Sequence, residues 1–201
     1  MKQIITIGRQ FGSGGHEIGT RLAEALDVPY YDKDLLKRAA KESGLCEHLF
    51  ENFDERPRSL LFSLAMDPYA FSNPAAPFGS VEQEIFLATF NAVKQVAAEG
   101  PCVIIGRCAD YALREREDVL NLFIHAPLAE RVKRIARVRG LSEAKAKDQI
   151  NKMDKQRASY YNYYTSKKWG AVSSYDYCLD SSILGIDGTV ELVRYILDKM
   201  G

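Results

Sequence analysis

The strongest constraint on the fold of this chain lies near its amino end, at residues 4–25, IITIGRQFGSGGHEIGTRLAEA. The β-branched run at residues 4–7 predicts a buried strand, and the glycines between residues 8 and 15 predict a loop. Ile18, Leu22 and Leu26 then share one face of a predicted amphipathic helix. Glycines let backbone N–H groups converge on an anion, and a helix N-terminus adds a partial positive charge. The stretch therefore predicts a phosphate-binding loop.

The loop departs from the standard P-loop motif G-x-x-x-x-G-K-[ST]. Arg9 stands at the first glycine, Gly15 at the lysine, and His16 at the hydroxyl that binds magnesium. Arg9, Ser13 or His16 could replace the missing groups in part, and Gly15 could have a backbone conformation that only glycine tolerates. The alternative interpretation is a structural glycine turn in an α/β fold. The prediction of donor-phosphate binding covers seven residues: Arg9, Gly12, Ser13, Gly14, Gly15, His16 and Glu17.

Composition limits the classes of function. The 201 residues suit one domain, and a hydrophobic content of 46% can fill a core. The formal net charge is zero, so no overall field favours nucleic acid or an anionic membrane, and any anion site must be built locally. No apolar run approaches the roughly 18 residues of a membrane span, and the chain enters a strand at once, which leaves no room for a signal peptide.

The cysteines and histidines point to an intracellular protein that builds no metal site of its own. The four cysteines, at positions 46, 102, 108 and 178, form no C-x-x-C pair. The three histidines have no metal-ligand spacing. We therefore expect reduced thiols and a cytoplasmic location.

Strands and helices alternate along the chain, which predicts an α/β fold. The expected architecture is a three-layer, P-loop NTPase-type fold, with a parallel sheet of about five strands and helices on both faces. The whole chain, 1–201, reads as a single domain with a core at 1–43, 81–126 and 171–201 and a helical lid at 127–170. The Pro-rich, aromatic segment 44–80 is interpreted as a variable flap on the acceptor side. Shorter predictions are strands at 28–32 and 175–180 and a last helix at 187–200.

Polar residues follow several of the predicted strands. In a parallel sheet with helices on both faces, ligands bind beyond the carboxyl ends of the strands. The glycine loop, Asp32, the pair Gly106 and Arg107, and the residues after His125 all fall at such ends. Arg107 directly follows an apolar strand, and a charge there needs a carboxylate or a ligand phosphate as partner. These positions favour one binding site on one rim of the sheet.

A basic helix is predicted after Pro127. Five Lys or Arg residues lie between 131 and 139 with no acidic residue among them, and Lys155 and Arg157 lie on the next predicted helix, which Ser142 is expected to cap. A charge run of this kind is most often a solvated face. Phosphoryl transfer, however, needs cations around the transferred oxygens, and the guanidinium fork fits phosphate. We interpret at least two of these bases as functional.

Other candidates each allow two interpretations. Arg38 is either part of a surface ion pair or a clamp on the phosphate of a second ligand. Asp110 either lies on the same rim or pairs with Arg107. His16 either touches a phosphate or caps its helix, and the tyrosines at 160–164 either stack on a base or pack in the interior.

Several stretches stand in the order of motifs found in one family. Residues 12–16 (GSGGH), 29–38 (PYYDKDLLKR) and 105–108 (IGRC) correspond to G-S-G-K-S, P-Y-L-D-T-G-A-M-Y-R and D-G-R-D of the cytidylate kinases. Residues 123–134 are similar to F-L-x-A-S-x-E-E-R-A-x-R-R, residues 154–157 (DKQR) to D-R-x-R, and residues 179–182 (LDSS) to D-T-S. The chain thus resembles the cytidylate kinase-like family from end to end, and RQFGSGGHEIG resembles the signature of that branch itself.

The resemblance implies a kinase that moves the γ-phosphoryl group of ATP, with Mg²⁺, to CMP, dCMP or a similar acceptor. Together with the rim prediction, it assigns acceptor binding to five residues: Asp32, Arg38, Gly106, Arg107 and Asp110. Stabilisation of the transferred group is assigned to three residues: Arg131, Lys155 and Arg157. Cys108 stands where the family has an aspartate, and the loop lysine and hydroxyl are replaced.

Three alternatives remain open from the sequence. Segment 44–80 differs from the acceptor subdomain of a cytidylate kinase, which favours a kinase for a different small-molecule acceptor. Loss of the loop lysine favours a non-catalytic nucleotide sensor. Segment 57–78 could serve self-association in a homodimer. The partners expected are a nucleotide donor and a small-molecule acceptor, with neither nucleic acid nor a membrane.

Overall fold

Five parallel strands form one sheet in the computed structural model, which describes residues 4–44 and 79–200. The strand order is β2-β3-β1-β4-β5. The strands are β1 (Ile4–Arg9), β2 (Tyr30–Tyr31), β3 (Cys102–Ile105), β4 (Val119–His125) and β5 (Tyr177–Asp180). Because β1 lies between β3 and β4, the glycine loop leaves the middle of the carboxyl edge of the sheet.

Helices connect these strands and cover the sheet. Within the described residues they are α1 (Gly15–Leu26), α2 (Asp34–Ser43), α3 (Gly79–Glu99), α4 (Ala109–Ala112), α5 (Leu128–Arg139), α6 (Glu143–Thr165) and α7 (Ser181–Met200). A single 3₁₀ turn, Val172–Ser174, precedes β5. None of the helices in the described part of the chain is both long and apolar enough to cross a membrane. The predicted α/β fold with a parallel sheet is confirmed.

Successive residues of β1 face opposite layers. Ile5 and Ile7 pack in one core cluster with Leu22 of α1, and α7 contributes to the same cluster. Ile4 packs in the other cluster with Leu35 of α2, and α3 covers that face. Burial of each such aliphatic side chain contributes roughly 1.5–3 kcal/mol to the stability of the fold. Because a shift of β1 by one residue would expose these side chains, their burial fixes the residue at which the strand ends and the glycine loop begins.

The predicted lid, residues 127–170, contains α5 and α6. Ile135 of α5 and Ile150 of α6 are buried in a small apolar cluster against which Phe11 of the glycine loop packs. Ser142 accepts a hydrogen bond from the Lys145 backbone N–H and caps α6, as predicted. The lid helices therefore rest on the loop.

Several predicted boundaries were wrong. The strand predicted at 28–32 pairs regularly only over Tyr30–Tyr31, and the strand predicted at 175–180 begins at Tyr177. The last helix, predicted over 187–200, agrees with the main part of α7, but α7 also has a first part that begins at Ser181 and is interrupted at Gly185, where φ is 69°. Glycine tolerates this conformation, so a first short turn can precede the main helix. Most of segment 44–80, with the proposed self-association region 57–78, lies outside the described residues.

Candidate functional site

The glycine loop has a fixed shape between β1 and α1. Gly12 and Gly14 have φ of 84° and 80°, in the left-handed region that favours glycine. The Ser13 hydroxyl donates to the Gln10 carbonyl at 2.9 Å and accepts from the Gly15 backbone N–H at 3.3 Å. Ser13 is buried and its hydroxyl makes hydrogen bonds within the loop, so its side chain has a structural role here. Because the Ser13 side chain is engaged within the loop, the backbone N–H groups that follow Gly15 at the start of α1 are left to bind an anion.

Three consecutive residues after β3 adopt left-handed conformations. Gly106, Arg107 and Cys108 have φ of 76°, 61° and 51°. This conformation costs roughly 1–2 kcal/mol at a residue other than glycine and persists only where surrounding contacts impose it. The Gly106 backbone N–H donates to the carbonyl of Ile7 at 2.9 Å, which ties this turn to the strand that carries the glycine loop.

Asp32 lies among three basic side chains at the end of β2. Its carboxylate is 3.2 Å from NH2 of Arg107, 3.3 Å from Nε2 of His16 and 3.9 Å from NH2 of Arg9. The side chain of Arg107 is only 2% exposed, whereas that of His16 is 57% exposed. The structure thus brings together, on one rim, four residues that the sequence predicted as donor or acceptor contacts. The pairing of Arg107 with Asp32 leaves Asp110 to a different partner.

The lid is attached to the glycine loop through Asp154. One carboxylate oxygen accepts from the Phe11 backbone N–H at 2.7 Å, and the other accepts from Arg131 at 2.6 Å. Arg131 also donates to the carbonyls of Ala126 and Phe11, at 2.9 and 3.1 Å. Arg157 donates to the Arg9 carbonyl at 3.1 Å, and its guanidinium lies 5.7 Å from the centre of the Phe11 ring.

Two cavities flank the loop. The β2-side cavity, of about 450 Å³, is bordered by Gly12, Gly15, His16, Asp32, Arg139 and Arg157, among others. The β5-side cavity, of about 370 Å³, is bordered by Gly12, Ser13, Lys133, Arg137, Ser181 and Ser182, among others. Arg134 and Gly12 border both cavities. Both volumes are in the range of small-molecule sites, and the basic residues give each cavity an affinity for anions.

Some predicted site residues lie elsewhere. Arg38 is partly exposed and paired with Glu42 and Glu99, the surface arrangement that the sequence also allowed, and it borders neither cavity. Lys155 is exposed and also borders neither cavity. Arg131 is buried and directed to protein acceptors. The catalytic or phosphate-binding roles assigned to these residues stay predictions.

Asp110 is buried behind the rim, where it accepts a hydrogen bond from the Tyr161 hydroxyl at 2.6 Å. Burial raises the pKa of Asp110, although the hydrogen bond from Tyr161 and the charge of Lys167 oppose that effect. Burial and the neighbouring carboxylate also raise the pKa of Tyr161. Tyr160 and Tyr161 pack in an aromatic cluster, so packing describes these two residues of the 160–164 stretch.

Two features of the site escaped sequence reasoning. Arg134 and Arg137 were part of the basic block, but nothing singled them out as cavity residues; their spacing of three places them on one helical face, and this was the available signal. Asp154 stands in the DKQR stretch, and nothing in the sequence indicates its contact with the glycine loop. Its contact with Phe11 spans 143 residues, and no local pattern reports such a contact.

The described residues do not form a metal site by themselves, since residues 4–44 and 79–200 contain no group of three or more His, Cys, Asp or Glu that could hold an ion. Mg²⁺ in kinases is bound largely by substrate phosphates and water with one or two carboxylates. Asp32 and Glu17 both border the β2-side cavity. Glu17 is paired with Arg21 and Arg134, and Asp32 with Arg107. The site thus fits an ion that arrives with a nucleotide, and Asp32 and Glu17 are the carboxylates at this cavity that would contact it.

A parallel sheet with a glycine loop after its central strand, a helix starting in that loop and a basic helical lid define the P-loop kinase class of fold. Comparison with known proteins narrows the class. The model of the cytidylate kinase-like family matches residues 4–183, and the chain belongs to that family. Membership in this family supports phosphotransferase activity of the nucleoside monophosphate kinase type.

Relatives in sequence and solved structures with a similar fold cover nearly the whole chain. The cytidylate kinase of Methanopyrus kandleri is 24% identical over 206 residues, which cover 98% of this chain and 94% of the relative. That of Methanosarcina mazei is 26% identical over 199 residues, which cover 98% and 97%. An uncharacterized protein from Eubacterium ventriosum has a crystal structure with a TM-score of 0.74 at 28% identity, covering 97% and 98% of the two chains. Shikimate kinase from Bacteroides thetaiotaomicron, with a TM-score of 0.55 at 15% identity and coverage of 97% and 98%, shares the fold.

Proposed function

We propose that this protein transfers the γ-phosphoryl group of ATP, with Mg²⁺, to CMP, dCMP or a similar nucleoside monophosphate. The observation that carries the proposal is the pair of basic cavities on opposite sides of one glycine loop. A kinase must bind two anions so that their phosphates meet, and a loop shared by both cavities provides the meeting point.

The donor would place its phosphates on the backbone of residues 12–16, with its nucleoside in the β5-side cavity. Lys133 and Arg137 border that cavity and offset donor charge. The acceptor would enter the β2-side cavity near Asp32. Arg107 borders neither cavity, but it lies behind Asp32, 3.2 Å from its carboxylate, and we assign it the acceptor phosphate on the condition that the phosphate displaces Asp32 from it.

The transferred group would then lie next to Arg134, which borders both cavities, and Arg157, which borders the β2-side cavity. Phosphoryl transfer requires little covalent chemistry from the protein, so positioned cations would supply most of the rate. The lid helices over the loop would exclude water and limit hydrolysis. Both substrates are nucleotides, and we place the reaction in the cytoplasm without nucleic-acid or membrane partners.

The direct test is transfer from ATP and Mg²⁺ to a panel of nucleoside monophosphates, with calorimetric binding of each nucleotide. We expect turnover with CMP or dCMP, and loss of that turnover in Arg107→Met but not in Arg194→Met. Arg194 is an exposed residue of α7 and serves as the matched control. Binding of ATP and CMP without turnover would contradict catalysis and indicate a sensor.

A kinase for a different acceptor is the second candidate, and the position of Arg38 favours it. A nucleoside monophosphate would gain a second clamp from Arg38, but the described contacts hold that side chain between Glu42 and Glu99. If the second candidate is correct, ATP binds and no nucleoside monophosphate increases the rate of ADP formation from ATP. A small acid that carries a hydroxyl group increases that rate. A CMP-dependent rate that Arg38→Met reduces would exclude this candidate.

A further inference from the structure

Gly15 is crowded by two side chains, and that of Arg9 comes closest. A Cβ atom added to Gly15 would lie 2.6 Å from the Cβ of Arg9, 3.3 Å from its Cγ and 3.1 Å from the Cβ of Ile124. A contact of 2.6 Å is far inside van der Waals distance, so one of the two residues would have to move. The φ of Gly15 is not in the left-handed region, unlike those of Gly12 and Gly14. Gly15 is therefore glycine for space, and the alternative of a glycine-only backbone conformation was wrong.

The two residues in contact are also the two altered positions of the motif. Arg9 stands where the standard loop has its first glycine, and Gly15 stands where it has lysine. In the standard arrangement the small residue precedes the loop and the cation begins α1. Here the cation precedes the loop, and its side chain passes over the small residue.

The Arg9 guanidinium lies at the wall of the β2-side cavity. Its side chain is 8% exposed, and its NH2 is 3.9 Å from the carboxylate of Asp32, which borders that cavity with Arg9 itself. Asp32 is closer to Arg107 and to His16 than to Arg9. A guanidinium group in this setting can offer two parallel donors to phosphate oxygens.

The other two candidates for the missing charge are less suited. Ser13 carries no charge, and its hydroxyl closes the loop. His16 is largely exposed on the outer side of Asp32. Neither side chain is among the contacts that a Cβ atom at position 15 would make, whereas the Cβ and Cγ of Arg9 are.

We propose that Arg9 supplies the cation that the standard loop lysine gives to the terminal donor phosphates, and that Gly15 is its compensating partner. The inference rests on the proposed function in one respect only, that the loop binds a polyphosphate. Under this proposal, the cation and the glycine of the standard motif have exchanged positions between residues 9 and 15. The standard arrangement is therefore regained only by changing both residues.

Calorimetric titration of the full chain with AMP, ADP, ATP and inorganic tripolyphosphate tests this assignment. We expect Arg9→Met to weaken ATP and tripolyphosphate about 10- to 100-fold, the range for a lost charge-assisted contact, and AMP less than about threefold. Arg194→Met should change none of these affinities. Equal effects of Arg9→Met on AMP and ATP, or none, would overturn the assignment.

The exchange itself is tested with Gly15→Lys and the double change Arg9→Gly with Gly15→Lys. The single lysine variant should unfold at lower denaturant and bind ATP poorly, because its Cβ collides with Arg9. The double variant should recover ATP affinity to within about fivefold of the parent and regain stability. A double variant that binds no better than Gly15→Lys would overturn the proposal. Tripolyphosphate binding that depends on Arg9, without transfer to any acceptor, would reject the proposed kinase reaction and leave the Arg9 assignment standing.

Discussion

Asp154 joins the lid to the glycine loop through one carboxylate, and Asp154→Asn should weaken that junction. The carboxylate accepts from Phe11 at 2.7 Å and from Arg131 at 2.6 Å. The side chains of Arg131 and Asp154 are 8% and 18% exposed. Little water can therefore solvate the Arg131 guanidinium once the Asp154 carboxylate is removed. Arg131 would keep only two carbonyl acceptors, those of Ala126 and Phe11.

The magnitude follows from these contacts. Breaking a fully buried ion pair costs ~3–5 kcal/mol. Asparagine can still accept one hydrogen bond, Arg131 retains its two carbonyls, and Asp154 is partly hydrated. Each of these lowers the cost, and we expect the free energy of unfolding to fall by about 2 kcal/mol. ATP should also bind more weakly, because Phe11 would lose the contact that holds the loop.

Urea unfolding followed by fluorescence measures this loss. The chain has one tryptophan, Trp169, which lies near the carboxyl end of the lid and packs edge-on against Phe123 of β4, so its fluorescence reports on the packing of the lid against the sheet. Asp148→Asn is the matched control, since it removes the same charge from an exposed position of α6. A cycle with Arg131→Met should give a coupling of about 1–2 kcal/mol between the two residues. Equal midpoints for the two asparagine variants, or additive effects in the cycle, would refute the reasoning.

Three further predictions concern other parts of the site. Arg107→Met should weaken CMP binding at least about tenfold while Arg38→Met changes it little, as measured by calorimetry, and the reverse order would place the phosphate clamp on Arg38. Asp110→Asn should stabilise the protein at neutral pH: burial raises the pKa of Asp110 in the folded state, so the wild type loses stability as pH rises from about the ordinary value of 3.8 and the loss levels off above the raised folded-state pKa. Urea midpoints for this pair that stay parallel across pH would contradict that shift. Gly12→Ala and Gly140→Ala should both cost about 1–2 kcal/mol for a left-handed alanine, but Gly12→Ala should cost about 1 kcal/mol more because its Cβ would meet the α5 backbone at 3.1 Å, whereas no described residue would lie within 4 Å of a Cβ at Gly140; equal costs would argue against that contact.

Sequence periodicity sufficed for the sheet and for the rim of the site. The apolar run at 102–105 and the β-branched run at 4–7 favour buried strands in a chain where strands and helices alternate, and parallel strands bring their carboxyl ends to one edge. Asp32, Arg107 and the glycine loop therefore had to lie near one another. Their distances in the structure agree with that deduction.

Side-chain partners could not be deduced in the same way. Arg38 could have reached a phosphate or a carboxylate, and the outcome depends on Glu99, which lies 61 residues away on α3. Asp110 could have paired with Arg107, but Arg107 pairs with Asp32 and Asp110 accepts a hydrogen bond from Tyr161 of the lid. These pairings depend on helices that come from distant parts of the chain. The hydrophobic pattern does not specify which of their polar side chains will meet.

The zero net charge of the chain and the cationic character of the site are consistent, because the charges are paired locally. Three carboxylates hold the cations around the glycine loop: Asp32 lies beside Arg9 and Arg107, Asp154 beside Arg131, and Glu17 beside Arg134. A guanidinium group already held by a carboxylate loses less conformational freedom when a phosphate arrives, which offsets part of the cost of binding. The strength of such a site depends on where each cation is held more than on how many cations the chain carries. A loop that moves its cation from position 15 to position 9 can therefore keep its affinity for phosphate, provided that Asp32 holds the relocated guanidinium at the cavity wall.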